Sequence, residues 1–166
     1  MNEVLRQLPA KAREKHSANR RFFRKLKKRP PKHLDYLMQD LHDDEFQRTD
    51  CLACANCCKT TGPLFTTNDI ERISKHFRMK PQKFIEQFLR IDEENDHVLK
   101  EVPCTFLDAE KHCSIYSVRP KACGEFPHTD RKKFHQIDNL TLKNVTICPA
   151  AFNIVEAMKK KLPAYS

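Results

Sequence analysis

Four of the eight cysteines in this 166-residue chain stand close together, as Cys51-x-x-Cys54-x-x-Cys57-Cys58, and the other four, Cys104, Cys113, Cys123 and Cys148, are dispersed. A C-x-x-C step lets one tight turn aim two sulfurs at a common ion, and thiolates are soft ligands suited to zinc or to iron–sulfur clusters. Cys57 and Cys58 are neighbours whose side chains are expected to point apart. One of them should therefore serve the loop's own site, and the other should join the remote cysteines or stay free. The plainer reading, eight unrelated buried thiols, sits badly with so dense a first cluster.

Zinc ribbons pair one C-x-x-C knuckle with a second, and no second knuckle is present. The run C-x-x-C-x-x-C with a distant Cys148-Pro149 is closer to the three-plus-one ligation of bacterial ferredoxins, where the remote cysteine also precedes proline. The spacing leans toward iron, as an iron–sulfur cluster. Eight thiols would also serve two tetrahedral zinc sites of four thiolates each.

The cysteine run is followed by Asp69-Ile70, Pro103-Cys104-Thr105-Phe106-Leu107-Asp108, Cys113-Ser114-Ile115-Tyr116, Arg119-Pro120, Cys123 and Phe126-Pro127, and then by the late Cys148. In these residues the chain resembles the YkgJ-type CxxCxxCC family, a zinc- or iron-chelating domain, across residues 50–150. The resemblance implies a metal-binding role for Cys51, Cys54, Cys57, Cys58, Cys104, Cys113, Cys123 and Cys148, and brings no reaction with it. Flagellin lysine methylases are similar in the same region but are much longer. Residues 1–48 lie outside the resemblance.

Residues 1–30 hold no apolar run long enough for a signal sequence, and no stretch reaches transmembrane length. The expected setting is therefore a reducing cytoplasm, where clustered thiols mean metal or redox chemistry rather than disulfides. The net charge of +9 is uneven. Residues 1–33 carry twelve Lys/Arg against Glu3 and Glu14, so the remaining residues sum to −1. Such an arm could meet an anionic partner, nucleic acid or acidic protein, with Phe22-Phe23 as a stacking point. Its plainer reading is an exposed helix whose Phe22, Phe23 and Leu26 dock on the domain.

The elements that must position the thiols follow from apolar spacing and breakers. A helix is expected over 1–28, with Pro9 a candidate for its true start and Pro30-Pro31 ending it. A second helix should run from Pro31 to about Phe46 on Leu34, Leu37, Met38 and Leu41. Residues 51–62 read as a loop. Thr67 is the expected N-cap of a helix through Ile70, Ile73 and Phe77, and Pro81 the start of another carrying Phe84, Ile85, Phe88 and Leu89. Strands are expected at 98–102, 105–107 and 114–116, the last two forming a hairpin through Asp108–His112. Residues 117–148 read as irregular, before a helix from Pro149 expected to bury Phe152, Val155 and Met158. Only Gly62 and Gly124 occur, which excludes a glycine-rich phosphate loop.

The expected fold is α+β and mainly helical: a small metal-stabilised domain with a short β-hairpin. Its parts are a basic helical arm at 1–48 and a cysteine-cluster domain at 49–166. Arg119 beside Cys123 could neutralise thiolate charge or pair with a carboxylate. His112 and His128 are not needed as ligands. Asp43-Asp44-Glu45 and Asp92-Glu93-Glu94 read as solvated turns. The function expected is metal chelation without an assigned reaction. The alternatives are an iron–sulfur enzyme, or a subunit of a modifying enzyme, and a nucleic-acid-associated protein.

Overall fold

The computed structural model describes residues 2–165. Helix α1 spans Asn2–Lys28, α2 Leu34–Phe46, α3 Cys51–Cys54 and α4 Asn56–Thr60. Strand β1 (Leu64–Phe65) precedes α5 (Thr67–His76) and α6 (Pro81–Phe88), followed by β2 (Leu89–Ile91) and β3 (His97–Leu99). Short helices α7 (Lys121–Glu125) and α8 (Asp138–Asn144) lead to α9 (Pro149–Lys161). The α+β, mainly helical class holds. Two compact units divide the chain: the described residues up to Cys54 together with those from Pro127 onward, and Ala55–Phe126.

In the first unit, α1 buries Leu8, Ala12, Asn19, Phe22, Phe23 and Leu26 along one face, against α8 and α9. Pro9 lies inside this helix rather than at its start. Proline removes one backbone bond, and the burial of Leu8 and Ala12 on either side carries the helix through it. Helix α2 packs on α9, burying Leu34 and Met38 opposite Ile154, Val155 and Met158. Glu45, read as part of a solvated turn, ends buried instead, accepting from Thr49 and from Asn153 of α9. Asp35 accepts from the backbone N–H of Lys133 (2.7 Å) and of Phe134 (3.1 Å), which pins the left-handed Lys133 and seats Phe134 in the core. Asp35→Ala should cost about 1–2 kcal/mol, as two charge-assisted bonds on a half-buried carboxylate would. A denaturant midpoint unchanged from wild type would contradict this.

In the second unit, Pro81 opens α6 as expected, and α5 and α6 present Ile70, Ile73 and Phe84 to a core shared with Phe65, Leu89, Leu99, Phe106 and Ile115. The sheet is antiparallel in the order β1-β3-β2, with Phe65 opposite His97 and Leu89 opposite Leu99. A hairpin joins β2 to β3, and its turn is tied by Asp92, whose carboxylate accepts from the N–H groups of Glu94 and Asp96.

Four expectations are corrected here. The hairpin expected between Cys104 and Tyr116 is reduced to one bridge, Leu107 to Cys113, because three turns crowd so short a segment. Residues 51–62 are not all loop but hold α3 and α4. The N-cap of α5 is Thr66, one residue before the expected Thr67. Within the stretch read as irregular, α7 and α8 form, while the α9 start at Pro149 is as expected. Among the described residues no helix is long and apolar enough to cross a membrane.

Candidate metal centre

Asp50 starts α3 by accepting from the N–H groups of Leu52 (2.9 Å) and Ala53 (3.1 Å), which sets Cys51 and Cys54 one turn apart. Ala55 then takes a left-handed conformation, φ 47°, and α4 begins afresh with Cys57 and Cys58. The expectation that these two side chains point apart is not met: their Sγ atoms lie 3.9 Å from each other.

Four thiols gather within the second unit. The N–H of Cys104 donates to the carbonyl of Cys58 at 2.8 Å, tying α4 to the segment after β3. The bridge Leu107–Cys113 and the bond from Ser114 N–H to Phe106 O (2.8 Å) fold Cys113 back toward Cys104, and both pack against the Phe65–Phe106 core. Cys123 sits in α7, whose first N–H, on Lys121, donates to Asp69 at 3.0 Å.

The thiols feel one another. A hydrogen bond from Cys57 brings Cys58 down to about 7, against burial, with help from Lys59. Burial pushes Cys104 and Cys113 up, and charge on Cys58 adds to it. Cys123 is pushed up to about 12 by burial and then by charge on Cys58, Cys104 and Cys113, with Arg119 opposing. The Arg119 guanidinium lies 4.2 Å over the Tyr116 ring and donates to the Tyr116 carbonyl. It acts on the sulfurs as a nearby positive charge.

The first unit holds another three. Cys148 caps α9, its Sγ accepting from Ala151 N–H at 3.4 Å, and burial pushes it up to about 12, with smaller upward contributions from Cys51 and Cys54. Cys54 and Cys148 are both buried, while Cys51 is exposed. Among the described residues, no three Cys, His, Asp or Glu side chains are already arranged to hold a metal ion. The sulfurs are gathered but not converged. In kind, the donor set fits zinc or iron: four soft thiols, two of them packed on an apolar core.

A family model described as "CxxCxxCC: Putative zinc- or iron-chelating domain" matches residues 50–144. This chain belongs to the CxxCxxCC family. Seven of the eight thiols fall in the matched span, and Cys148 lies just beyond it. No solved structure matches the chain. Zinc or iron chelation is thus the chemistry that the description of the CxxCxxCC domain gives, and cysteine thiols are donors of a kind that suits it.

Sequence reasoning missed the part played by Asp69, which it named only within the family pattern. Its carboxylate accepts from the Thr66 hydroxyl and N–H, from Arg72 at 2.6 Å, and from Lys121 N–H, and so fixes the helix that carries Cys123. The Thr66-x-x-Asp69 spacing, a capping-box pattern, was the available signal. His112 faces Asp108 and Glu110 on the surface, and His42 bonds Thr129.

Proposed function

We propose that the chain chelates iron or zinc through Cys58, Cys104, Cys113 and Cys123, with Cys51, Cys54 and Cys148 as a second thiol set and Cys57 in support of Cys58. The observation that carries this reading is the backbone bond from the Cys104 N–H to the Cys58 carbonyl, with the Leu107–Cys113 bridge folding Cys113 back onto the core that Cys104 packs against. An iron–sulfur cluster is favoured over a single zinc ion. The support for a cluster is the three-plus-one spacing of Cys51-x-x-Cys54-x-x-Cys57 with the distant Cys148-Pro149, which belongs to the second thiol set together with Cys57. A bound cluster would supply electron transfer or a soft Lewis acid. The chain's own part is to gather the sulfurs, exclude water with Phe106 and Ile115, and offset thiolate charge with Arg119. Such thiols need a reducing compartment, in keeping with the cytoplasm.

Function divides along the chain as well: residues 49–166 hold every thiol, whereas the basic arm at 1–48 offers its cations to an anionic partner. The test of chelation is anaerobic purification without added metal, with elemental and sulfide analysis and an absorption spectrum on one sample. Iron with acid-labile sulfide and absorption near ~400 nm is the expected result. Stoichiometric zinc without sulfide would replace the cluster by closed tetrahedral chelation. Protein that retains neither metal, even after anaerobic reconstitution with each, would overturn the reading.

A further inference from the structure

The positive charge of this protein belongs to one unit. Twenty Lys/Arg face eleven Asp/Glu in the first unit, whereas the second has eleven of each. Within the first unit the excess is concentrated on α1. Its buried face is taken up by Leu8, Ala12, Phe22, Phe23 and Leu26. Outside that face, the exposed Arg6, Arg13, Arg20 and Lys27 recur every seven residues, a ridge of cations about 10.5 Å apart at the helical rise that drifts toward α8 at its C-terminal end, where Lys27 meets Asp138. Arg24 and Lys28 widen its C-terminal end into a groove lined also by Ser17, Asp138 and Asn139. Only Arg6 and Lys27 of the ridge are paired, with Glu3 and Asp138. Among the described residues Arg13, Arg20, Arg24 and Lys28 make no ion pair.

We propose that this ridge of α1 grips the phosphate backbone of a nucleic-acid duplex, without reading its sequence. The proposal rests on the reading of the basic arm as the surface for an anionic partner, and names that partner. Guanidinium groups repeated along one face of a long helix can each take a backbone phosphate by paired N–H donors. A membrane surface suits it less, because an interfacial helix needs an open apolar face and the one on α1 is buried. A single strand suits it less too, since both phenylalanines of α1 are inside and leave no ring for bases to stack on. An acidic protein would meet the charge but not require its repeat.

The test uses the full chain and labelled 20-base-pair DNA and RNA duplexes, titrated by fluorescence anisotropy from low to moderate salt. Wild type should bind both, with log affinity falling linearly in log salt. Arg13→Gln/Arg20→Gln/Arg24→Gln should weaken binding at least tenfold and reduce that slope by about 2.7, at about 0.9 per phosphate contact. The control Lys75→Gln/Lys83→Gln/Arg90→Gln, in the second unit, should change neither. Circular dichroism on each variant separates lost binding from lost fold. Binding of one duplex form alone would keep the proposal and name the source. Tighter binding to polyglutamate or to phosphatidylserine vesicles than to duplex would overturn it while leaving the anionic-partner reading. Failure to bind any of these at low salt would overturn both.

Discussion

Cys58→Ser is expected to strip metal from the second unit and to lower its melting temperature by about 8–16 °C. A ligand held at roughly a thousand times its dissociation constant stabilises by about 4 kcal/mol, and each kcal/mol moves a chain of this size by about 2–4 °C. Cys58 is the informative choice because it is the thiol whose charge reaches Cys104, Cys113 and Cys123 alike. The comparison that isolates the metal is wild type against variant, each melted with and without a strong chelator. If the two proteins melt together only in the chelator, the lost stability came from the ion. Full metal content in the variant would contradict the proposed ligand set.

The same thiols set a pH dependence. A ligand must be a thiolate, so metal must displace the protons that burial holds on Cys123, at about 12 before binding. Binding should therefore release protons, and affinity should fall as pH falls, by up to about tenfold per pH unit for each proton released. Cys58, near 7, gives up its proton most readily and is the expected first point of attachment. Isothermal titration in two buffers of different ionisation enthalpy counts the protons directly.

Asp69→Ala is the second large effect, at about 2–4 kcal/mol. Loss of the reciprocal half of the capping box, which leaves the Thr66 N–H without its carboxylate, accounts for about 1 kcal/mol, and the rest comes from leaving the Lys121 N–H and the Arg72 guanidinium without theirs. Half-exposed Arg72 recovers part of that from water, which keeps the figure below that for a fully buried pair. Burial alone would raise the Asp69 carboxyl. The bonds from Thr66, Arg72 and Lys121 outweigh it and hold the group below its ordinary value. A depressed carboxylate stabilises the fold above its unfolded pKa, about 3.9, and that contribution is lost as pH falls through the folded one. The stability gap between wild type and Asp69→Ala should thus be full at pH 7 and shrink below about pH 4. A gap that stays constant down to pH 2 would assign the cost to packing instead of charge. Metal affinity should weaken in this variant as well, because α7 and Cys123 lose their anchor.

Where a helix carries its own apolar stripe, the sequence was a sufficient guide. Ile70 and Ile73, Phe84 and Phe88, and the Pro149 start of α9 marked real elements because burial of a face and a local start signal agreed. The region from Cys51 to Gly62 was harder, since α3 and α4 are single turns held by Asp50 and by Cys104, and a turn that short has no period to detect. The strands were misjudged for a related reason. At two or three residues each they are set by pairing with β3, and Leu107–Cys113 closes only one bridge. Of the candidate site, the eight thiols were legible by type and spacing. Their grouping was not, because it depends on Asp69 holding α7 and on the Cys104 N–H reaching Cys58, both long-range bonds.

Ala55 gives the cysteine run its grammar. In an unbroken helix Cys51, Cys54 and Cys58, at i, i+3 and i+7, would share one stripe. A left-handed alanine, which costs on the order of 1 kcal/mol, stands between them with its methyl buried. It works as a comma: in the proposed partition the string before it goes with Cys148, and Cys58 after it with Cys104, Cys113 and Cys123. What looks in one dimension like a single dense motif is two short phrases, and the pause between them matters as much as the letters.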